Sequence, residues 1–419
     1  MQRGVTADWV VTGKPDQTPL AGGAVVVDGA GRIEALGPAG DLKTRYPDAR
    51  WDHVRGVVLP GLVNAHTHLE LSALKGQVPG GAGFAPWAKA MLERRRELSP
   101  EADLEAIDAG VSALLRAGTA AVGEVTNTLA ALPLLATAPL LGRVFHEVFG
   151  LSEQAGRGML EAALRARAER ELPANLSWAL CPHTLHTLHP SVVREVMQQV
   201  RSAGERSSLH LLEHSAERFF LRDGTGPFAD FVASIGASRE GFTPPGTDPV
   251  SYAASLGVLA PDVLLVHLCG ATREELSRVV DSGAQAVLCP RSNLFIELKL
   301  PPLFDMLEAG LLPALGTDSL ASNTSLDVLA EAAALHARFP QVEAARVFAM
   351  ATWYGALALG LSHRVGALAE GLAPGILAVD LDKPVDDPFR VLLRSPPPAR
   401  RVLCRPALPE GQKTLGDAP

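Results

Sequence analysis

The chain has 419 residues, of which 47% are hydrophobic and 20% charged, and its formal net charge is −8. Such a length and apolar content support a large core, divided most naturally into one big domain and a smaller one, and exclude an intrinsically disordered chain. No basic run is longer than Arg94-Arg95-Arg96, so a nucleic-acid partner, which leaves a basic footprint, is not expected.

The first residues, MQRGVTADWVV, contain no apolar targeting core and no small-residue cleavage site. The most apolar stretch, 129–141, carries Pro133 and Pro139 and is shorter than the roughly 20 residues of a membrane span. Cys181, Cys269, Cys289 and Cys404 are widely spaced and form no CxxC pair. Core thiols in a reducing cytoplasm are therefore expected, with neither disulfides nor a zinc–cysteine cluster. The expectation is a cytoplasmic protein with no membrane partner.

Residues 7–58 read as short strands and turns. In AVVVDGAGRIEALG, residues 24–37, Asp28-Gly29 falls between alternating apolar runs, a hairpin signal. After residue 58, strand-like runs alternate with helix-like runs rich in Ala, Leu, Glu and Arg. The strand candidates are 57–63, 120–125, 143–149, 177–181, 208–212, 263–266, 285–288 and 312–315. Helical stretches such as 88–98, 101–117, 190–203, 273–282 and 302–309 lie between them. Eight such units predict an α/β fold, a (β/α)8 TIM-type barrel over 59–359. A doubly wound sheet would open with a glycine-rich phosphate turn, and none is found. Strand-and-turn texture returns beyond residue 360, as in GALAEGLAPGILAVDLD. Residues 1–58 and 360–419 are therefore expected to build a small β-sandwich domain together, with 396–419 partly unstructured. A long connection at about 217–260, rich in phenylalanine, is read either as a lid over a ligand or as a packed surface excursion.

The polar residues able to hold a metal fall at strand ends. In NAHTHLELSALKG, residues 64–76, His66 and His68 are two apart, so on a strand they face the same way. His183 ends the fourth strand, His210 and Glu213 sit at the fifth, His267 ends the sixth and Asp318 the eighth. In a barrel these ends converge on one mouth, where active sites lie. His66, His68, His210 and Asp318 supply a nitrogen and carboxylate set suited to zinc or iron. A metal-bound water ionises near pH 7, Glu213 could protonate the acceptor or leaving nitrogen, and His267 could orient or deprotonate the water. Each residue also has a plain alternative. Lone buried histidines are often simply hydrogen-bonded, Asp318 could cap a helix, and Glu213 could balance a neighbouring cation.

PGLVNAHTHLELS, CPH, HLLEH, VHLCG and GTDSLASN, in that order, resemble the metal-dependent amidohydrolase superfamily, in particular its deaminase and chlorohydrolase branch. The resemblance spans nearly the whole chain. It implies one divalent metal, zinc with iron as the alternative, bound by His66, His68, His210 and Asp318. It also implies proton transfer by Glu213 to the ring nitrogen, assistance to the water by His267, and catalysis involving Asp318. Two-metal members carry a bridging lysine at the end of strand four. Here that segment is Leu180-Cys181-Pro182-His183, which implies a single ion. His183 would contact the substrate, and the family is compatible with a homodimer.

Within that branch, HTHLELSALKG and the long 217–260 segment resemble the aminodeoxyfutalosine deaminases of menaquinone biosynthesis. The implied substrate is then a small molecule, 6-amino-6-deoxyfutalosine, deaminated by metal-bound hydroxide with release of ammonia. Adenosylhomocysteine deaminases typically place an acid before the tryptophan of an FxxW-like segment. Here that segment is Phe84-Ala85-Pro86-Trp87, so ribose recognition is left unassigned. Glu70, Ser72 and Asn293 are the further candidates for substrate contact. Deamination of adenosylhomocysteine, adenosine or a free base, chlorohydrolysis, and a non-catalytic scaffold are the alternatives.

Overall fold

The computed structural model describes residues 2–409. Strands from both ends of the chain share one mixed seven-stranded sheet. Its order is Arg401–Pro406, Pro374–Asp380, Arg50–Pro60, Arg3–Val10, Gly23–Val27 and Ile33–Pro38, and Leu20–Ala21 pairs with Arg3–Val10. Alternation explains how this sheet is buried on both sides. Val25 and Val27 join Val5, Val10 and Ile376 in one apolar cluster, while Ala24 and Val26 meet Leu42 of helix Ala39–Arg45 on the other face. The terminal strands thus lie in a single sheet covered partly by a helix. The hairpin expected at 24–37 is present, with Val27 opposite Ile33 and the Asp28 side chain accepting from the amides of Ala30 and Arg32. Of the segment 396–419, residues 401–406 are paired, and 410–419 lie outside the described residues.

Eight parallel strand segments follow: β1 (Leu62–His68), β2 (Thr119–Thr126), β3 (Leu141–Val148), β4 (Leu176–Pro182), β5 (Ser207–Leu211), β6 (Val263–His267), β7 (Gln285–Leu288) and β8 (Ala314–Leu315). They pair as β1-β2-β3-β4 and β5-β6-β7-β8. A parallel bridge joins Thr184, just past β4, to His210 of β5. On the other side, Asp318–Ser319, separated from β8 by Gly316 and Thr317, pairs with Thr67 and His68 of β1. Helices alternate with these strands, and the largest apolar cluster runs between the two layers through residues such as Phe145, Leu180, Val196, Leu265 and Phe348.

The first expected strand, 57–63, is in fact parts of two. Arg50–Pro60 belongs to the terminal sheet, β1 starts at Leu62, and Gly61 makes the step. A Cβ on Gly61 would lie 2.5 Å from that of Ala120 and 2.6 Å from the Pro374 carbonyl, so no side chain fits where the two layers meet. Gly316 has the same role beside β1: a Cβ there would lie 2.6 Å from the Cβ of His66. That close approach brings Asp318 up against the histidines. Among the described residues no helix is long and apolar enough to cross a membrane.

Candidate active site

β1 carries His66 and His68 on one side, as alternation requires, and both are buried. β5, in the other group of parallel strands, presents His210 to the same place. The Nε2 atoms of His68 and His66 each lie 3.3 Å from His210 Nε2. Asp318 Oδ1 is 3.9 Å from His66 Nε2 and 3.7 Å from His68 Nε2. Tetrahedral ligands about 2.1 Å from an ion lie roughly 3.4 Å apart, and these four separations are near that value. Their orientation agrees. The amide and Nδ1 of His210 lie 3.1 and 3.0 Å from the His183 carbonyl. A carbonyl only accepts, so Nδ1 carries the proton and Nε2 presents a lone pair to the centre. His66 and His210 are both held neutral by burial, His210 down to about 4, so their ring nitrogens are free to act as donors to a cation.

The carboxylates in this mouth are tuned in opposite directions. Burial alone would raise the Asp318 carboxyl, but His68, His267 and the Ser292 hydroxyl hold it below the usual range. Ser292 Oγ donates to Asp318 Oδ2 at 2.6 Å and Ser322 Oγ at 3.2 Å, fixing Oδ1 toward the histidines. Glu213 is pushed well above the usual range by burial, with Asp318 and Glu217 adding to the rise. It lies 3.8 Å from His267 Nε2. His267 is lowered to about 3 by burial, and its Nδ1 is 3.1 Å from the Asn293 side-chain amide. Asp318, His267 and Leu212 all have φ between 54° and 80°. Left-handed backbone in non-glycine residues is strained and clusters at working sites.

These groups open into a cavity of about 390 Å³. His68, His183, His210, Glu213, His267 and Asp318 line one part of it. Phe84, Trp87 and Phe149 supply apolar wall, and Phe228, Phe231 and Ile235 from the 217–260 segment supply more. That segment is helical at Ala216–Asp223, Pro227–Ser234 and Pro249–Ser255, and its second helix contributes to the cavity wall.

The structure brings His66, His68, His210, Asp318, Glu213, His267 and His183 together. Glu70 also reaches the cavity, though by another route than expected. The strand ends at His68 and a 3-10 turn, Leu69–Leu74, carries Glu70. Its carboxylate accepts from the hydroxyls of Thr126 and Thr128 at 2.9 and 2.7 Å and from the Asn127 and Thr128 amides, and it lies 3.3 Å from Arg95. Ser72 is not brought to the cavity: the same turn packs it on helix Pro100–Arg116, where a Cβ on Gly110 would lie 2.7 Å from Ser72 Oγ. Asn293 is fully buried behind His267, outside the cavity wall.

Sequence reasoning missed Glu147 and Arg95, both of which line the cavity. Glu147 Oε1 lies 3.5 Å from His210 Nδ1, and its other oxygen accepts from the Asn127 side chain at 2.9 Å. Burial would raise it, but His183, His210 and His68 hold it low. Its signal was available: an acid near the C-terminal end of the apolar strand LGRVFHEV. Arg95 gave none, as one of three arginines on helix Phe84–Arg96. Among the described residues, His66, His68 and Asp318 form one candidate metal group, and His66, His210 and His267 another that shares His66.

The matched family model is that of the amidohydrolase family, over residues 57–402. The aminodeoxyfutalosine deaminase of Deinococcus radiodurans is 32% identical over 81% of this chain and 81% of its own length. The 5-methylthioadenosine/S-adenosylhomocysteine deaminase of Halobacterium salinarum is 30% identical over 88% of this chain and 82% of its own. In fold, Helicobacter pylori aminofutalosine deaminase, solved with methylthio-coformycin, superposes with a TM-score of 0.82 at 24% identity, covering 93% of this chain and 95% of the other. The chain belongs to the amidohydrolase family. Within that family it stands with the hydrolytic deaminases.

Proposed function

We propose that this protein deaminates an adenosine-type nucleoside carrying a 5′ substituent, with 6-amino-6-deoxyfutalosine as the foremost substrate. The observation that carries the reading is the extent of the cavity. It runs from the ligand cage at Asp318 to Phe228, Phe231 and Ile235 of the 217–260 segment, farther than a free base requires. The 32% identity to an aminodeoxyfutalosine deaminase supports the same choice.

The architecture of this proposal is one closed (β/α)8 barrel over 59–359. The Thr184–His210 bridge and the pairing of Asp318–Ser319 with β1 would be its seams. The strands between Arg3 and Pro60 and between Pro374 and Pro406 form its small β domain. His66, His68, His210 and Asp318 hold a single divalent ion, zinc by preference for this donor set. Such an ion, when bound, supplies the Lewis acidity that makes water nucleophilic near neutral pH.

The chain's own residues do the rest. Glu213, whose carboxyl burial pushes well above the usual range, donates to the ring nitrogen next to the carbon that bears the amino group. That carbon is thereby opened to attack by water. His267, steadied by Asn293, orients the water. Asp318 is held by Ser292 and Ser322 so that one oxygen faces the reacting centre. The tetrahedral carbon then expels ammonia. Of the two water hydrogens, one ends on the ring nitrogen and one in ammonia, and Glu213 recovers its proton. His183 and Glu70 contact the nucleoside along the cavity wall.

Ammonia release measured over adenosine, 5′-methylthioadenosine, S-adenosylhomocysteine and aminodeoxyfutalosine tests the reading. The highest kcat/KM is expected for aminodeoxyfutalosine. A preference for the sulfur nucleosides would favour the second reading, which rests on the 30% identical relative. Turnover of free bases alone would defeat both.

A further inference from the structure

Ser292 and Asn293, which touch Asp318 and His267, lie in the first turn of helix Pro290–Glu297, just past β7. The opening amides of a helix have no acceptor within it. That of Arg291 is accepted instead by Glu331 Oε2 at 2.8 Å, across 40 residues of chain. Glu331 belongs to helix Val328–Arg338, is 0% exposed and takes no part in the cavity wall. Its other oxygen accepts from the Asn323 side-chain amide at 2.8 Å, and the same amide donates to the Thr317 carbonyl at 2.9 Å. One carboxylate therefore joins the turn after β7 to the loop around Asp318. The Arg291 guanidinium adds a second tie between these segments. It donates to Ser325 Oγ at 2.9 Å and to Thr324 Oγ1, and lies 3.7 Å from Glu331 Oε1.

A carboxylate at this depth is an expensive way to hold two helices together. Burial raises it to about 7 even with Arg291 beside it, and a well-packed apolar pair would often serve stability as well or better. An apolar pair cannot fix the direction of an amide, whereas each carboxylate oxygen does so here. The groups it fixes adjoin working residues. Arg291 is followed by Ser292, which donates to Asp318 Oδ2 at 2.6 Å, and by Asn293, 3.1 Å from His267 Nδ1. Asn323 follows Ser322, the other donor to Asp318 Oδ2. Asp318 itself has a φ of 54°, a conformation that persists only where the surroundings over-determine it.

We propose that Glu331 is a positioning residue for the reaction: it holds in mutual alignment the two segments that aim Asp318 at the metal site and His267 at the water. This rests on the roles given to Asp318 and His267 above. Glu331 touches neither substrate nor ion and acts only through Arg291 and Asn323.

The test compares the metal-loaded protein with its Glu331→Gln variant. Glutamine keeps an acceptor for the Arg291 amide but sets an amide nitrogen against that of Asn323, so one arm breaks. Ammonia release is measured over the nucleoside panel, loss of the ion to EDTA by elemental analysis, and melting temperature alongside. The expected result is a fall in kcat of about tenfold or more with little change in KM, and loss of the ion about tenfold faster. Ser292→Ala and the double variant complete a cycle. If Glu331 works through that turn, the double variant loses less than the product of the single losses. A lower melting temperature with kcat and EDTA loss at parent values, a loss confined to KM, or single losses that multiply overturns the proposal. If Glu331→Gln does not fold, Asn323→Ala cuts the same arm with the carboxylate in place and is judged by the same readings. A parent that binds no ion, or is inert on every nucleoside, overturns the reading of the site and this role with it. An active parent with an unchanged variant overturns the role of Glu331 alone.

Discussion

Two clusters of buried polar side chains lie beside the same cavity and differ in what holds them. In the first, His66, His68, His210 and Asp318, the outer atoms of His210 and Asp318 are tied, while His66 Nδ1 has no partner among the described residues. His210 Nδ1 is bound to a carbonyl, and Asp318 Oδ2 is bound to two serines. In the second, His186, His214 and Glu217, five atoms have no hydrogen-bond partner among the described residues; ring packing holds the two histidines and the Leu212 amide holds Glu217. Both are buried to the same degree. The two clusters therefore differ not in burial but in how many of their polar atoms have partners.

The largest effect should come from breaking the first cluster. Asp318→Ala removes one of four donors and leaves three ring nitrogens to crowd one another. Metal content by elemental analysis is expected to fall well below one ion per chain, and ammonia release to drop below detection. Full metal retention would show that the cage is drawn around the wrong residues. Next in size is Glu213→Gln, which keeps the shape but removes the proton. Turnover should fall about 10²- to 10⁴-fold with metal content intact; substantial remaining activity would remove Glu213 from its role. A smaller effect separates touching from supporting. Asn293→Ala leaves the cavity wall untouched and frees the His267 ring. The expected loss is about tenfold or more, since an unsteadied His267 orients the water poorly, and it should fall in kcat with little change in KM. A loss confined to KM would instead restore Asn293 as a substrate contact.

Much of this arrangement was legible in the sequence, for a physical reason. Residues at the C-terminal ends of parallel strands must converge, so His66, His68, His210, His267 and Asp318 could be gathered before any coordinate existed. Glu147 obeys the same rule and was open to the same reading. Ser72 failed because strand alternation was carried past the point where the strand stops. The 3-10 turn from Leu69 rotates the chain, sending Ser72 into helix packing while Glu70 reaches the cavity. Asn293 failed because proximity to the mouth does not say whether a side chain faces a ligand or the back of a ligand's neighbour. The unpartnered state of His186, His214 and Glu217 was not legible at all. A missing hydrogen bond is a property of distances across the fold, between a loop after β4 and a helix after β5, and no spacing along the chain encodes it.

The smallest expected effect sharpens the contrast through pH. Burial raises the Glu217 carboxyl from 4.5 to about 7, so between these values the folded state holds a proton that the unfolded state has released. Its contribution to stability is therefore fully present below about pH 4.5, falls as pH rises toward 7, and is level above. A shift of that size corresponds to something on the order of 3 kcal/mol. His186 and His214, lowered to about 3, work with the opposite sign. The unfolded state protonates them first, so they stabilise increasingly as pH climbs from about 3 to 6.5. The two trends oppose each other in the parent, and only a difference measurement separates them. Glu217→Gln keeps an acceptor for the Leu212 amide while abolishing the carboxyl titration. Urea unfolding of parent and variant at pH 5 and pH 7.5 should show the parent losing ground to the variant at the higher pH. An equal gap at both values would mean that Glu217 is ionised throughout, and that the second cluster is partnered as firmly as the first.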